Sequence, residues 1–384
     1  MNKQIAFLFL KLGFIAFGGP AAHIAMMEDE VVTKRKWMSQ QHFLDLVGAT
    51  NLIPGPNSTE MAIHCGFHRG GIPGLLVAGA SFIFPAVLLT GALAYLYVNY
   101  GTVPEVEPFL FGIKPAVIII ILNAVYKLGK KAVKGWLLAV IGAGVLAVSL
   151  LGLNAIYSIL SGGIVGMIIL YSRDRFQASP MALISPFLIK MKSQSPFLIP
   201  ISVTATDSSV PLMKLFLIFL KVGAILFGSG YVLVAYLDAE LVQSLGWLTA
   251  NELIDAIAIG QFTPGPVLST STFIGYQING IPGAIVATLG IFLPSFFFVA
   301  ILNPLIPKLR QSKLASAFLD AVNVSAVAIM ITATIHLGQE VMLDWRSWVI
   351  AALSAIVVFS FKKLNSAYIV LGGAVIGYLL YTIG

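Results

Sequence analysis

Apolar runs long enough to cross a bilayer alternate along this chain of 384 residues with short polar segments. Long runs lie near 4–26, 73–99, 108–128, 135–151 and 154–172, and again near 212–236, 282–303, 316–338, 345–361 and 366–382. Between the first and second run of each set sit two shorter apolar stretches, 42–53 with 57–67 and 251–263 with 267–278, separated by Pro-Gly-Pro. Such a stretch is marginal as a span, so each pair reads as a helical hairpin that enters the membrane and returns to the same side. Two full crossings in place of a hairpin would keep the same parity. With an odd number of crossings per half, the second half must be inverted relative to the first. The pattern therefore predicts an all-α polytopic membrane protein of two inverted-topology repeats, each with about five spanning helices plus a re-entrant hairpin. The predicted units are an N-terminal repeat over 1–172, a cytoplasmic linker over 173–211 and a C-terminal repeat over 212–384.

The halves are copies. Phe17, Gly18, Gly19, Pro20, Trp37, Asp45 and Pro54-Gly55-Pro56 recur 210 residues on as Phe227, Gly228, Ser229, Gly230, Trp247, Asp255 and Pro264-Gly265-Pro266. Past Pro56 the spacing drops to 209: Gly71-Ile72-Pro73-Gly74 answers Gly280-Ile281-Pro282-Gly283, and Pro85 answers Pro294. In a membrane chain, glycine- and proline-broken segments at matching places in two halves point to a transport site.

Hydrophobic residues make up 58% of the chain and charged residues 10%, outside the range of soluble domains. The first run carries Lys11 and belongs to the repeat, so it reads as part of the fold and not as a cleaved leader. One cysteine, Cys65, excludes an internal disulfide and a cysteine-cluster metal site. The net charge of +7 sits in short loops, which positive-inside orientation explains without a nucleic-acid partner. Lys34, Arg35, Lys36, Lys127, Lys130, Lys131, Lys134, Arg173, Arg175, Lys190, Lys192, Lys308, Arg310, Lys313, Lys362 and Lys363 all fall on one side, hence cytoplasmic. Both termini are then expected outside. The linker's apolar patches, such as 186–189 and 196–199, are too short to span.

Candidate chemistry gathers at the Pro-Gly-Pro tips. Proline is favoured at the first position of a helix, so helices starting at Pro56 and Pro266 present their first amides at Asn57, Ser58 and Thr59, and at Val267 with Ser269, Thr270 and Ser271 one turn on. Two such positive helix poles within the membrane suit an anion. A single Gly-Pro pair is more often a packing kink; two copies, each beside hydroxyl residues, favour the anion reading. Gly18 and Gly19, with Gly228 and Ser229, allow close backbone approach to a ligand or to a crossing helix. Lys11 and Lys221 lie seven residues before the breaks, candidates for counter-charge or for snorkelling to the interface. Asp45 and Asp255, on the first hairpin arms, are candidates for pairing with intramembrane lysines, Lys114 included, or for proton handling. Glu60, His64 and His68 share a helix face at intervals of four. Thr270 stands for Glu60 in the second copy and Leu233 for His23, so coupling, if asymmetric, is sought at His23, Glu60 and His64. No metal and no cofactor is expected.

The set Phe17-Gly18-Gly19-Pro20-Ala21-Ala22-His23, Trp37, Pro54 to Glu60, Gly66, Arg69-Gly70 and Phe84-Pro85, with its second-half copy, resembles the chromate ion transporter family, in its long two-domain form. The resemblance implies a bacterial inner-membrane secondary transporter that exports chromate, a sulfate-like dianion, embedded in the lipid bilayer. A homodimer is compatible with it. The rival readings are an anion channel using the same helix poles, and a membrane-embedded metal-dependent enzyme using Glu60, His64 and His68.

Overall fold

The computed structural model describes residues 2–16, 19–50, 53–101, 103, 105–176, 210–228, 230–302, 312–361 and 364–383. Gly18, Ser229 and nearly all of the expected linker lie outside them, as do Lys308, Arg310, Lys362 and Lys363. The described residues form helices and connecting turns without strands.

The first half contributes α1 (Asn2–Ile15), α2 (Pro20–Glu28), α3 (Gln40–Thr50), α4 (Asn57–Tyr100), α5 (Glu107–Ala132), α6 (Trp136–Leu150) and α7 (Ala155–Phe176). The second contributes α8 (Leu212–Ile225), α9 (Leu233–Leu237), α10 (Ala250–Phe262), α11 (Thr270–Leu302), α12 (Lys313–Val341), α13 (Trp345–Ser360) and α14 (Ser366–Ile383). The elements match one to one. Even the irregular turns recur, as π-helical turns over Asp29–Lys34 and Asp238–Ser244. Among the described residues five helices are long and apolar enough to cross a membrane, and three shorter apolar ones, over 136–150, 345–360 and 366–382, join them. The chain is thus an all-α, multi-pass membrane protein.

The long runs expected over 4–26 and 212–236 are each broken at their glycine motif, where α1 ends at Ile15 and α8 at Ile225. Gly19 caps α2 at φ 85°, a conformation that only glycine enters without strain, and Pro20 then opens the helix. α4 is itself two helices. At Gly70 and Gly71 the backbone leaves helical geometry, with Gly71 at φ 59°, and Asn279 and Gly280 repeat the break in α11. Beyond the break the chain folds back on itself: a Cβ placed on Gly66 would strike Gly74 and Ala78, and one on Gly275 would strike Gly283 and Ala287. Only small residues let the two limbs approach so closely.

Packing groups the helices by position in the repeat, not by repeat. α1 packs on α4, α8 on α11, and α4 on α11, making one bundle. In the other, α5 packs on α13 and α14 while α12 packs on α6 and α7, so each repeat's fifth helix is embraced by the last two helices of the other copy. Glycine again permits the crossings: Gly112 of α5 meets the backbone of Gly373 and Gly377, and Gly166 of α7 meets Ala321 of α12.

Candidate functional site

Both Pro-Gly-Pro tips are built alike. Gly55 sits at φ 144° and Gly265 at φ 91°, and the following prolines, extended at ψ 103° and 130°, open the next helix without a side-chain cap. The helical ladder of α4 opens with the Glu60 amide, which bonds to the Pro56 carbonyl at 3.0 Å, so the amides before it precede that ladder. Each tip is pinned by the other repeat. The Gly55 amide donates to the Leu226 carbonyl at 2.7 Å, and the Gly265 amide donates to the Ala16 carbonyl at 2.8 Å. Leu226 and Ala16 are repeat counterparts just past α8 and α1, so the broken first helices supply the acceptors that hold the tips.

The two tips converge. Pro56 and Ser58 from one, Val267 and Leu268 from the other, with Pro20, His23, Gly230 and Tyr231 from the helix breaks, enclose a pocket of about 10 Å³. That volume admits one water at most.

The dropped residue after Pro56 has a structural cause. The second copy starts with a 3-10 turn over Val267–Ser269 before α11, whereas α4 is α-helical from Asn57. Three residues of 3-10 helix rise about as far as four of α-helix, roughly 6 Å, so the shorter copy reaches the same height. Counted back from the matched Gly66 and Gly275, Ser269 and not Thr270 takes the place of Glu60. Both are fully buried, but Ser269 bonds with the Thr90 hydroxyl at 3.1 Å whereas neither Glu60 oxygen has a hydrogen-bond partner among the described residues. Thr270 instead donates to its own Val267 carbonyl.

A wider cavity of about 140 Å³ opens beside the first tip. Asn57, Thr50 and Ile53 line its tip side, Gly228 and Val232 the second helix break, and Lys131, Lys134, Asp320 and Asn323 the α5–α12 wall. Lys134 pairs with Asp320 at 2.6 Å, leaving Lys131 as a cation on the wall with no carboxylate partner among the described residues. Asn57 and Gly228, expected at the first tip and the second helix break, both line this cavity, and Lys131, Asn323 and Thr50 join them without having been among the expected binding residues. Lys131 was legible only as loop charge, and its nearness to Asn57 arises from packing. α6 starts beside this cavity and ends beside another of about 310 Å³, lined by Asp238, Gln243 and Asn154. One mouth is basic; the other holds a single acid, Asp238, which pairs with His336 at 2.9 Å and accepts from Gln243 at 2.6 Å.

The remaining expected residues fall elsewhere. Lys11 and Lys221, 43% and 46% exposed, do not reach the tips; they pair with Glu30 and Glu240, each at 2.9 Å. These acids are themselves repeat counterparts, a spacing the sequence carried unnoticed. The Lys11 hydrogen bond, with Lys34 and Arg35 close by, holds the Glu30 carboxyl below its usual range. Asp255 is buried and accepts from the Tyr97 hydroxyl at 2.8 Å, with the Lys114 ammonium at 3.5 Å. Asp45 accepts from Gln41 on its own helix at 3.4 Å. His23 and His64 are buried near the tips, while His68 packs against His42 with ring centroids 4.6 Å apart. Among the described residues no three of His, Cys, Asp and Glu form a group able to hold a metal ion.

The chain is 30% identical over 381 residues to the chromate transport protein of Cupriavidus metallidurans, covering 99% of this chain and 93% of that one. It is 30% identical over 385 residues to a probable chromate transport protein of Synechococcus elongatus, covering 99% and 96%. To the chromate transport protein of Pseudomonas aeruginosa it is 29% identical over 390 residues, covering 98% and 92%. No solved structure matches it. The model of the family described as chromate transporter matches residues 3–167 and 213–378, one copy in each half, with the paired tips and helix breaks inside both matches. By that match, and by its likeness to curated transport proteins over nearly its whole length, the chain belongs to the chromate transporter family.

Proposed function

We propose that this protein is a secondary transporter that carries a tetrahedral oxyanion, chromate or sulfate-like, out of the cell across the inner membrane by alternating access. The observation that carries the reading is the basic cavity beside the first tip, with Lys131 on its wall and Asn57, the first residue of α4, at its edge. Backbone amides at a helix start together with a lysine charge are the chemistry that recognises a dianion of this shape. Ser58, Thr59 and, on the second tip, Val267, Ser269 and Thr270 are then the groups it meets further in, with Gly19 and Gly228 sparing room at the helix breaks. Counter-charge is assigned to Lys131; Lys11 and Lys221 are tied to carboxylates at the rim.

Loop charges put the basic mouth in the cytoplasm and both termini outside. The two short limbs, α3 and the part of α4 before Gly70, fit a re-entrant hairpin, since each covers roughly 20 Å or less of a core about 30 Å thick. The inverted repeat is supported by the reciprocal tip contacts, which a two-fold axis between the halves would generate. A central pocket of about 10 Å³ favours a carrier over a channel, which needs a continuous wet path. Because each bundle takes helices from both repeats, the bodies that move are the two bundles, not one repeat rocking against the other.

Flux of chromate and sulfate in oriented vesicles under imposed ion gradients tests the reading. Saturable movement that responds to an uncoupler is expected. No oxyanion movement under any gradient would overturn it.

A further inference from the structure

Glu60 is the one carboxyl at the tips. It stands in the first turn of α4, fully buried, and neither oxygen has a hydrogen-bond or cationic partner among the described residues. A Cβ built on Gly55 would strike its carboxyl and would lie 2.6 Å from the Ser295 hydroxyl, so the acid is wedged between the first tip and α11 of the other repeat. Ser295 and Thr59, also buried, have unpartnered hydroxyl oxygens here. An isolated carboxylate cannot be held in such surroundings without a counter-charge, and an ionisable group inside a membrane bundle marks an ion pathway by default.

We propose that Glu60 is the proton site of the transport cycle and that an oxyanion binds the first tip only while Glu60 is protonated. The inference rests on the oxyanion reading above. Its logic is like-charge exclusion: the dianion would sit at the start of the helix that carries Glu60 in its first turn, and a carboxylate there repels it. Protonation removes that charge. The Glu60 carboxyl takes its proton from water on the side where the anion loads and returns it to water on the side where the anion leaves. One proton therefore travels with each dianion, and the cycle moves one net negative charge. In the second copy Ser269 stands at this position, so that tip carries no proton.

Other ionisable groups lie around Glu60: Cys65 is buried one turn on, Arg69 stacks over Trp37 at the far end of that limb, and Tyr231 lines the pocket between the tips. His64 lies one turn beyond Glu60 on α4, and α2 carries His23 and, at its last residue, Glu28, which accepts from Gln40 at 3.4 Å. Lys11 of α1 is paired with Glu30, and Asp255 of α10 is held by Tyr97 and Lys114. Asp45 and His42 lie on the outer arm α3, beside Gln41 and His68. α11 presents no charged side chain at all, Tyr276 being its one titratable residue.

The test is sulfate binding to the purified full-length protein across pH, with sulfate because it stays a dianion throughout while chromate itself takes up a proton near neutrality. The expected result is tightening by up to about tenfold per pH unit on acidification, as linkage to one proton requires. Glu60→Gln should bind at the tight limit with no pH dependence, while His23→Gln and His64→Gln keep the slope. In proteoliposomes the reversal potential should report one net charge per sulfate for the native chain and two for Glu60→Gln. A flat native profile, a slope that survives in Glu60→Gln or is lost in either histidine variant, or two charges per sulfate in the native chain overturns the inference while leaving oxyanion transport standing. No binding or flux at any pH overturns both. Should Glu60→Gln fail to fold, the native slope and charge count decide.

Discussion

α3 and α10 occupy the same place in the two repeats and live in different surroundings. Leu44 on α3 is 48% exposed, whereas its counterpart Ile254 on α10 is fully buried. α10 packs against α5, α12 and α14 of the other bundle, while the main partners of α3 are α4 and α2 in its own. The acids diverge in the same way: Asp255 is gripped from α4 and α5 by Tyr97 and Lys114, and Asp45 accepts from Gln41 of its own helix. Even the helix starts differ. Thr249 and Glu252 form a reciprocal capping box on α10, whereas α3 has the single Ser39 cap to the His42 amide. Duplicated sequence has thus settled into an asymmetric state, closed along α10 and open along α3, where the basic cavity lies. The lock itself is not duplicated, because the counterpart of Lys114 on α12 is Asn323. Docking α3 the way α10 is docked would bring Asp45 to an amide instead of a cation.

The tips should break first. At Gly55 any side chain must adopt φ 144° and displace Glu60 and Ser295, and Gly55→Ala is expected to abolish oxyanion flux and to cost about 1–3 kcal/mol of stability. Gly265→Ala meets Ala86 at 3.1 Å, a milder conflict at a comparably strained φ of 91°. Thermal unfolding and flux on the pair should rank Gly55 as the more damaging site; equal damage would mean that Glu60 and Ser295 add nothing to the tip.

The closed side is tested next, through access. With buried Cys65 as a silent background, Leu44→Cys should react with a membrane-impermeant thiol reagent supplied from the cytoplasm, and Ile254→Cys, on the inverted arm, should resist the same reagent supplied from outside. Asp255→Ala leaves Lys114 its bond to the Asn251 side-chain oxygen at 3.2 Å but removes the carboxylate, and should cost about 1–3 kcal/mol, raising the labelling of Ile254→Cys several-fold. Asp45→Ala should change neither. If both cysteines label alike in the native background, the asymmetry between the arms does not describe the resting protein.

Much of this was legible before any coordinates. Apolar run length, loop charge and the 210-residue spacing carry the helix order, the breaks at Gly19 and Gly228 and the two tips, because these depend on local backbone chemistry that each residue type states directly. The interleaved bundles were not legible. Whether α5 packs on α7 or on α14 is decided by small-residue contacts such as Gly112 against Gly377, which any glycine-rich membrane helix could offer to any other. Lys131 and Asn323 were missed at the cavity for the same reason, since nothing local links a loop lysine to Asn57. The 3-10 start of the second copy left a trace, the one-residue deletion, but a deletion says only that something shortens and not that Ser269 replaces Glu60.

A smaller effect sharpens the basic mouth against the opposite one. Lys131→Gln removes a wall charge near Asn57 and should raise the KM for sulfate flux about two- to fivefold, less at high ionic strength, with the maximal rate little changed. Lys134→Gln should do less, because that lysine already spends its charge on Asp320 at 2.6 Å and is 61% exposed. Asp238→Asn, at the opposite cavity, should leave KM from the cytoplasmic side unchanged.

The smallest effect separates two roles for the rim lysines. If Lys11 and Lys221 serve to tie the π-helical turns to α1 and α8, then Lys11→Met and Lys221→Met should each cost under about 1 kcal/mol and spare the KM, because both side chains are nearly half exposed and such pairs are screened. A rise in KM like that of Lys131→Gln would instead return them to the oxyanion path. The acid limb offers an independent reading of the first pair. Glu30 has its carboxyl lowered by Lys11, so its contribution is fully present above the ordinary glutamate range and is lost as pH falls through its depressed folded value. In detergent, the native chain should therefore lose stability toward acid slightly more steeply than Lys11→Met, whose Glu30 has less to give up; parallel acid limbs would mean that Lys34 and Arg35 alone hold the turn.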